Sequence, residues 1–107
     1  MVSMDVDADK EALCNEVYDQ EHVPNLLKVP GVRAARRAKA EPSLRLNIGG
    51  EEKVIGHQGA TYCGIYEIHS PQVLVSPEWA QAGEAGRWPS QVRPFTRNRR
   101  HGLYKIL

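Results

Sequence analysis

The sequence has few cysteines and no long apolar run, and each shortage argues against a class of protein. Two cysteines among 107 residues, Cys14 and Cys63, are too few for a disulfide framework and fit a reducing compartment. Residues 68–77 are uncharged but include two prolines, so they do not form the roughly 20-residue apolar helix of a membrane span. The opening residues, Met1–Asp5, lack the basic and apolar regions of a secretory signal. We therefore expect a cytoplasmic protein with no membrane partner.

Length and composition predict one folded domain covering residues 1–107. A chain of this length builds one two-layer core and little more. Hydrophobic residues make up 41% and charged residues 25%, which is typical of a globular chain and not of a disordered one.

Charge is unevenly distributed although the net charge is only +1. Residues 1–22 are acidic, whereas residues 87–107 carry six basic side chains and no acidic one. Such asymmetry marks a nucleic-acid surface in some proteins, and in others complementary patches that meet within the fold or across a subunit interface. The basic run lacks interleaved aromatic residues for base stacking, which favours complementary patches over nucleic-acid binding.

Hydrophobic patterning predicts a strand and then a helix in the first third of the chain. Val2, Met4 and Val6 alternate with polar residues, as in a strand with one apolar face. Asp7 is placed to cap a helix that extends to about His22. Pro24 removes a backbone donor, so we expect a kink or a restarted helix there, and a stop at Pro30–Gly31.

The remaining chain predicts three or more strands and a second helix. Strands are expected over Val32–Ala40, Thr61–Ile68 and Arg99–Ile106, and a broken helix over Pro71–Ala85, ended by Gly86 and Pro89. The segment 41–59 fits either a short hairpin turning at Gly49–Gly50 or a mobile loop.

This order of elements predicts an α+β fold. A βαββαβ chain with right-handed crossovers forms a ferredoxin-like antiparallel sheet with two helices on one face. The other face meets either water or a partner. The predicted third strand has apolar residues on both faces, with Tyr62, Tyr66 and Ile68 on one and Cys63 and Ile65 on the other, which favours a homodimer.

Several motifs together resemble a known superfamily. The segment Tyr18–Leu27, with its Glu-His-x-Pro core, precedes Pro30–Gly31 and then Ala35–Arg37, and Tyr66–Glu67 ends a later strand. This arrangement is similar to EthD-like members of the dimeric α/β-barrel superfamily. The resemblance implies a half-barrel in each subunit, face-to-face pairing of two sheets, and a pocket between sheet and helices. Relatives include cofactor-independent monooxygenases, isomerases and cyclases, so fold membership alone selects no reaction.

His22 and Tyr18 are the candidate catalytic residues. They are four residues apart on a predicted helix, so the phenol and the imidazole share one face. An imidazole moves protons near neutral pH, and a phenol donates a hydrogen bond to a developing oxyanion. The structural alternative is that His22 hydrogen-bonds backbone groups freed by Pro24.

Tyr66, Trp79 and Glu67 are the candidate substrate-binding residues. The aromatic pair could line a pocket or belong to the core. Glu67 could orient His22, act as a base or form an ion pair with Arg36 or Arg37.

Spacings typical of other chemistries are missing. His57 and His69 have no metal-ligand spacing to cysteines or acids, and no phosphate-binding glycine pattern or nucleophile elbow occurs. We expect no metal and no cofactor, and we expect both cysteines to be packing residues. The leading hypothesis is a homodimer that binds an apolar or aromatic metabolite, with cofactor-independent acid–base chemistry of an isomerase, cyclase or monooxygenase type. The alternative is a non-catalytic dimer that binds a ligand or a protein.

Overall fold

Six strands and three short α-helices make up the computed structural model, which describes residues 1–107. The strands are β1 (Val2–Val6), β2 (Val32–Lys39), β3 (Ser43–Ile48), β4 (Glu51–Gly56), β5 (Tyr62–Ile68) and β6 (Thr96–His101). The α-helices are α1 (Glu11–Val17), α2 (Val23–Leu27) and α3 (Pro77–Gly83). Tighter or wider helical turns cover Ala8–Lys10, Tyr18–His22, Pro71–Val75, Trp88–Val92 and Arg93–Phe95. None of the helices has the length and apolar character that a membrane crossing requires.

Four strands form one antiparallel sheet in the order β2-β5-β1-β6, and β3 pairs with β4 in a separate two-stranded sheet. The α+β class is therefore confirmed. Sequence neighbours β1 and β2 are not adjacent in the sheet, because the helical segment between them crosses over and β5 is inserted between the two strands.

The core lies between the four-stranded sheet and the helices. Met4 of β1 is buried against Val17, Tyr18 and Trp88, with Val2 and Val6 packed at its edge. The predicted alternation in β1 is thus confirmed, since its apolar residues face the helices. The opposite face of the sheet carries Ile65 and Glu67 and is exposed.

The first helical region contains one wide turn. The α-helix α1 gives way to a π turn over Tyr18–His22, and α2 then runs through Pro24. A π turn shifts the hydrogen-bond pattern, which accommodates the donor that proline lacks. The expected disruption near Pro24 is confirmed. Asp7 makes no side-chain capping bond; its carboxylate pairs with Arg97 instead, 3.0 Å away.

The segment 41–59 forms the hairpin. Gly49 and Gly50 make its turn with φ of 62° and 81°, in the left-handed region that glycine occupies without strain. All residues of β3 and β4 are exposed, so the hairpin packs little against the rest of its chain.

The second helical region is longer than predicted. The predicted break is confirmed: Ser76 accepts a hydrogen bond from the Trp79 backbone and starts α3 after the Pro71–Val75 turn. Gly86 has a positive φ of 70°, as expected for a helix stop. Two further helical turns follow over 88–95, however, and bury Trp88 and Val92. The prediction that helical structure ends at Pro89 was wrong, because proline at a first helical position starts a turn as readily as it ends one.

The last strand was predicted too late in the chain. The predicted range was Arg99–Ile106, but β6 covers Thr96–His101, and Leu103, Tyr104 and Ile106 are exposed beyond it. β6 is an edge strand with a solvated side, so backbone pairing with β1 determines its position and polar side chains are tolerated there.

The acidic and basic ends of the chain meet within the fold. Arg87 bonds Glu16 and Glu21, and Arg97 bonds Asp7. The complementary-patch interpretation of the charge asymmetry is therefore supported by direct ion pairs.

Candidate functional site

A cavity of about 610 Å³ opens between the sheet and the helices. Its volume lies within the range of small-molecule pockets, roughly 300–1,000 Å³. Apolar side chains, aliphatic and aromatic, make up most of its walls, and a few charged side chains lie at its rim. The side chains that carry the argument are Tyr18, His22, Tyr66, Trp79, Trp88 and Arg99.

His22 is buried at the wall of this cavity with its ring nitrogens unpaired. Its side chain stacks on Trp88, with ring centroids 4.4 Å apart, and meets the Tyr18 ring edge-on at 5.0 Å. Nδ1 is buried with no hydrogen-bond partner, and no backbone group near Pro24 bonds either nitrogen. The structural role suggested for His22 at the sequence level therefore has no supporting contact.

Burial determines the charge state of His22. Desolvation, reinforced by the nearby Arg93 and Arg99, lowers the pKa of His22 to about 4. The imidazole is therefore neutral at physiological pH and offers one donor and one acceptor.

Two tyrosine hydroxyls meet beside the histidine. The Tyr18 and Tyr66 oxygens are 3.1 Å apart, and Arg37 lies over the Tyr18 ring at 4.6 Å from its centroid. Burial raises the pKa of both tyrosines, so both stay protonated. Because one hydroxyl donates to the other, the accepting tyrosine keeps its own proton free for a ligand oxygen.

The two tryptophans play different parts. Trp88 is only 2% exposed and packs edge-on against Tyr18 at 5.0 Å, so it is a buried wall of the core. Trp79, on α3, is half-buried and meets Tyr66 edge-on at 5.6 Å. Four of the five predicted site residues, Tyr18, His22, Tyr66 and Trp79, thus line one cavity.

Glu67, the fifth predicted site residue, does not line the cavity. It follows Tyr66 on β5, so it points to the opposite face of the sheet, where it is exposed and has no ion-pair partner. The predicted pairing with Arg36 or Arg37 does not form. Arg37 lies on the helix face and bonds Asp19 and Asn15, each at 2.8 Å.

The cavity rim includes charged residues that sequence reasoning did not place there. Arg93 and Glu84 form a double hydrogen bond of 3.0 and 2.7 Å, so their charges offset each other. Arg99 and His101 of β6 also line the cavity. The only available signal was the basic run itself, which does not reveal which of its side chains share a face.

The two cysteines lie outside the site chemistry. Burial raises the pKa of the Cys14 thiol and that of Cys63, which confirms the expectation that neither is activated as a thiolate. No three histidine, cysteine or acidic side chains cluster closely enough to hold a metal ion.

No protein-family model, no curated protein and no solved structure matches this chain.

Proposed function

We propose that the protein is a homodimer that binds an apolar or aromatic metabolite in the cavity between its sheet and its helices. We further propose that Tyr18, Tyr66 and His22 perform cofactor-independent proton transfer on that ligand. The half-barrel of the dimeric α/β-barrel superfamily accounts for both the strand order β2-β5-β1-β6 and the cavity's position, and belongs to the same proposal.

One observation carries the proposal: the polar side chains of His22, Tyr18 and Tyr66 line one cavity whose walls are mostly apolar. Convergent polar groups in an apolar concavity are the usual form of a small-molecule site.

The chemistry suits a carbon acid next to a carbonyl. The neutral imidazole of His22 takes a proton from the carbon, and the electron pair moves to the carbonyl oxygen. A tyrosine hydroxyl donates a hydrogen bond to the resulting enolate oxygen. Return of the proton to a carbon of the enolate completes an isomerisation and regenerates the imidazole. A developing negative charge beside His22 favours its protonated form, which offsets the low pKa of the imidazole.

The exposed face of the four-stranded sheet supports the proposed homodimer. Ile65 is 43% exposed there, and Arg36 and Glu67 lie on the same face with no partner in their own chain. In a two-fold pairing that places Arg36 of each copy opposite Glu67 of the other, unlike charges meet and the isoleucine is covered. The exposed hairpin adds further apolar surface for the same partner.

Binding is tested with N-phenyl-1-naphthylamine, a neutral fluorophore that brightens in apolar sites. Gly83 lines the cavity and a Cβ there meets nothing within 4 Å, so Gly83→Leu is chosen to add bulk at the cavity wall. The matched control is Gly56→Leu on the hairpin, where a Cβ also meets nothing. We expect wild type and the control to bind and Gly83→Leu to lose most of the signal. Equal binding by all three would place the probe elsewhere and contradict the proposal.

Catalysis is distinguished from simple binding with 2-tetralone, an aromatic carbon acid, in D2O. Proton transfer by His22 predicts protein-dependent deuterium incorporation next to the carbonyl, measured by NMR, and loss of that exchange in His22→Phe. Binding without accelerated exchange would leave the non-catalytic ligand-binding dimer, which the low pKa of His22 favours.

A further inference from the structure

Strand β6 is distorted where it passes the cavity. Asn98 has φ of 54°, and no other non-glycine residue in the chain has a positive φ. The register of β6 against β1 shifts at the same place, between Ser3 and Asp5. This is a β-bulge, a feature that redirects side chains and is common beside functional sites.

The bulge reverses which side chains face the cavity. Thr96 pairs with Val6 and therefore lies on the helix face, so a regular strand would place residue 99 on the opposite face. After the bulge, His101 pairs with Val2 on the helix face and Arg100 pairs with Ser3 on the other. Arg99 consequently lines the cavity while Arg100 does not.

The distortion is held by a specific contact. The Asn98 side-chain amide donates to Asp5 Oδ2 at 2.8 Å. That bond, together with one from the Thr61 backbone, lowers the pKa of Asp5 and keeps the acceptor charged. The hydrogen bond between Asn98 and Asp5 therefore links the bulge to β1.

Arg99 brings an uncompensated positive charge to the cavity. No carboxylate forms an ion pair with it, whereas Arg93 is neutralised by Glu84 and Arg97 pairs with Asp7. The positive charge of Arg99 also acts on the residues of the cavity. It contributes to lowering the pKa of His22, and it partly opposes the rise in the pKa of Tyr18.

We propose that the ligand is an aromatic molecule bearing an anionic oxygen group such as a carboxylate, which Arg99 binds at the cavity rim while the rings lie between Tyr66, Trp79 and Trp88. This inference rests on the proposed ligand-binding function and adds the ligand's charge. A guanidinium matches a carboxylate with two parallel hydrogen bonds, and aromatic walls match the rings.

The test compares 2-naphthoate with 2-naphthamide by calorimetry, since the two compounds have similar shapes and differ in charge. We expect the wild-type protein to bind naphthoate about tenfold more tightly, because the carboxylate carries a charge opposite to that of Arg99 and accepts two parallel hydrogen bonds, whereas the amide has one acceptor oxygen. Arg99→Gln should reduce naphthoate affinity to about the level of the amide and should weaken amide binding much less. Arg99→Lys should retain part of the preference.

Arg100→Gln is the matched control, since it removes the same charge from the next residue on the opposite face. It should leave both affinities unchanged. Equal binding of the two compounds to wild type would contradict the proposal that the ligand is anionic. Equal losses of naphthoate affinity in the Arg99→Gln and Arg100→Gln variants would contradict it as well. Neither result would contradict ligand binding in the cavity. Failure of both compounds to bind would instead contradict the proposed ligand-binding function.

Discussion

His22 illustrates how burial alone changes the chemistry of a single side chain. At 8% exposure the imidazole loses hydration, which costs its charged form far more free energy than its neutral form. Its stacking on Trp88 and edge contact with Tyr18 hold the ring without hydrogen bonds. The site therefore presents a neutral, oriented imidazole to a ligand.

This burial predicts an acid-sensitive contribution to stability. The pKa of His22 falls from 6.5 to about 4 on folding, so the unfolded chain binds the proton more tightly. Stability is then fully present above pH 6.5 and is lost as pH falls toward 4. At about 1.4 kcal/mol per pKa unit, the loss is about 3 kcal/mol. Urea unfolding of wild type and His22→Phe across this range measures it.

Phenylalanine keeps an aromatic ring against Trp88 but has no titrating group, so the variant should lack this part of the pH dependence. Replacement of the exposed His57 by glutamine is the control and should retain the wild-type slope. A His22→Phe protein that loses the same stability between pH 6.5 and 4 would contradict a buried neutral imidazole.

At the scale of elements, irregular segments position the site. The π turn over Tyr18–His22 carries both predicted catalytic residues, and the bulge at Asn98 brings Arg99 to the rim. The regular stretches of β1 and β5 supply the rigid layer behind them. Regular elements thus form the scaffold, and departures from regularity aim the functional side chains.

The junction between α2 and β2 depends on Gly31. Its φ is 91°, and a Cβ there would lie 2.5 Å from Cγ2 of the buried Val73. We expect Gly31→Ala to cost about 3 kcal/mol, since backbone strain and overpacking act together. Gly50→Ala is the control, with φ of 81° but open space, and should cost no more than about 1 kcal/mol. Equal costs in urea unfolding would show that the contact with Val73 is unimportant.

At the scale of the whole molecule, the single chain leaves much of its apolar surface exposed. Only 11 of 107 residues are buried, and large hydrophobic side chains are exposed on the hairpin, on the open sheet face and beyond β6. Exposed apolar surface of this extent is typical of a protein–protein interface.

We expect the wild-type protein to sediment as a dimer and Ile65→Asp to sediment as a folded monomer. Dimer formation would remove the new carboxylate from water, and this desolvation outweighs its attraction to Arg36, which lies opposite residue 65 on β2, so the pairing of the sheets is lost. Val75→Asp introduces the same change at an 82% exposed site away from the sheet face and should remain dimeric. Analytical ultracentrifugation at high micromolar concentration, with circular dichroism to monitor folding, measures this; a monomeric wild type would contradict the proposed assembly.

The sequence by itself determined the local structure. The alternation of Val2, Met4 and Val6 fixed the inner face of β1, and four-residue spacing brought Tyr18 and His22 together, because both depend on backbone periodicity within one element. Gly49 and Gly50 likewise favoured a turn, although the sequence did not exclude a mobile loop.

Only the tertiary structure decided what depends on pairing between distant segments. The position of β6, the placement of Trp88 in the cavity wall and the outward direction of Glu67 follow from contacts far apart in sequence. Above all, one extra residue in a strand reverses every side chain beyond it, so the bulge at Asn98 sends Arg99 into the site and Arg100 away from it. The sequence of neighbouring arginines does not reveal which of them faces the cavity, because the pairing of β6 with β1 determines it.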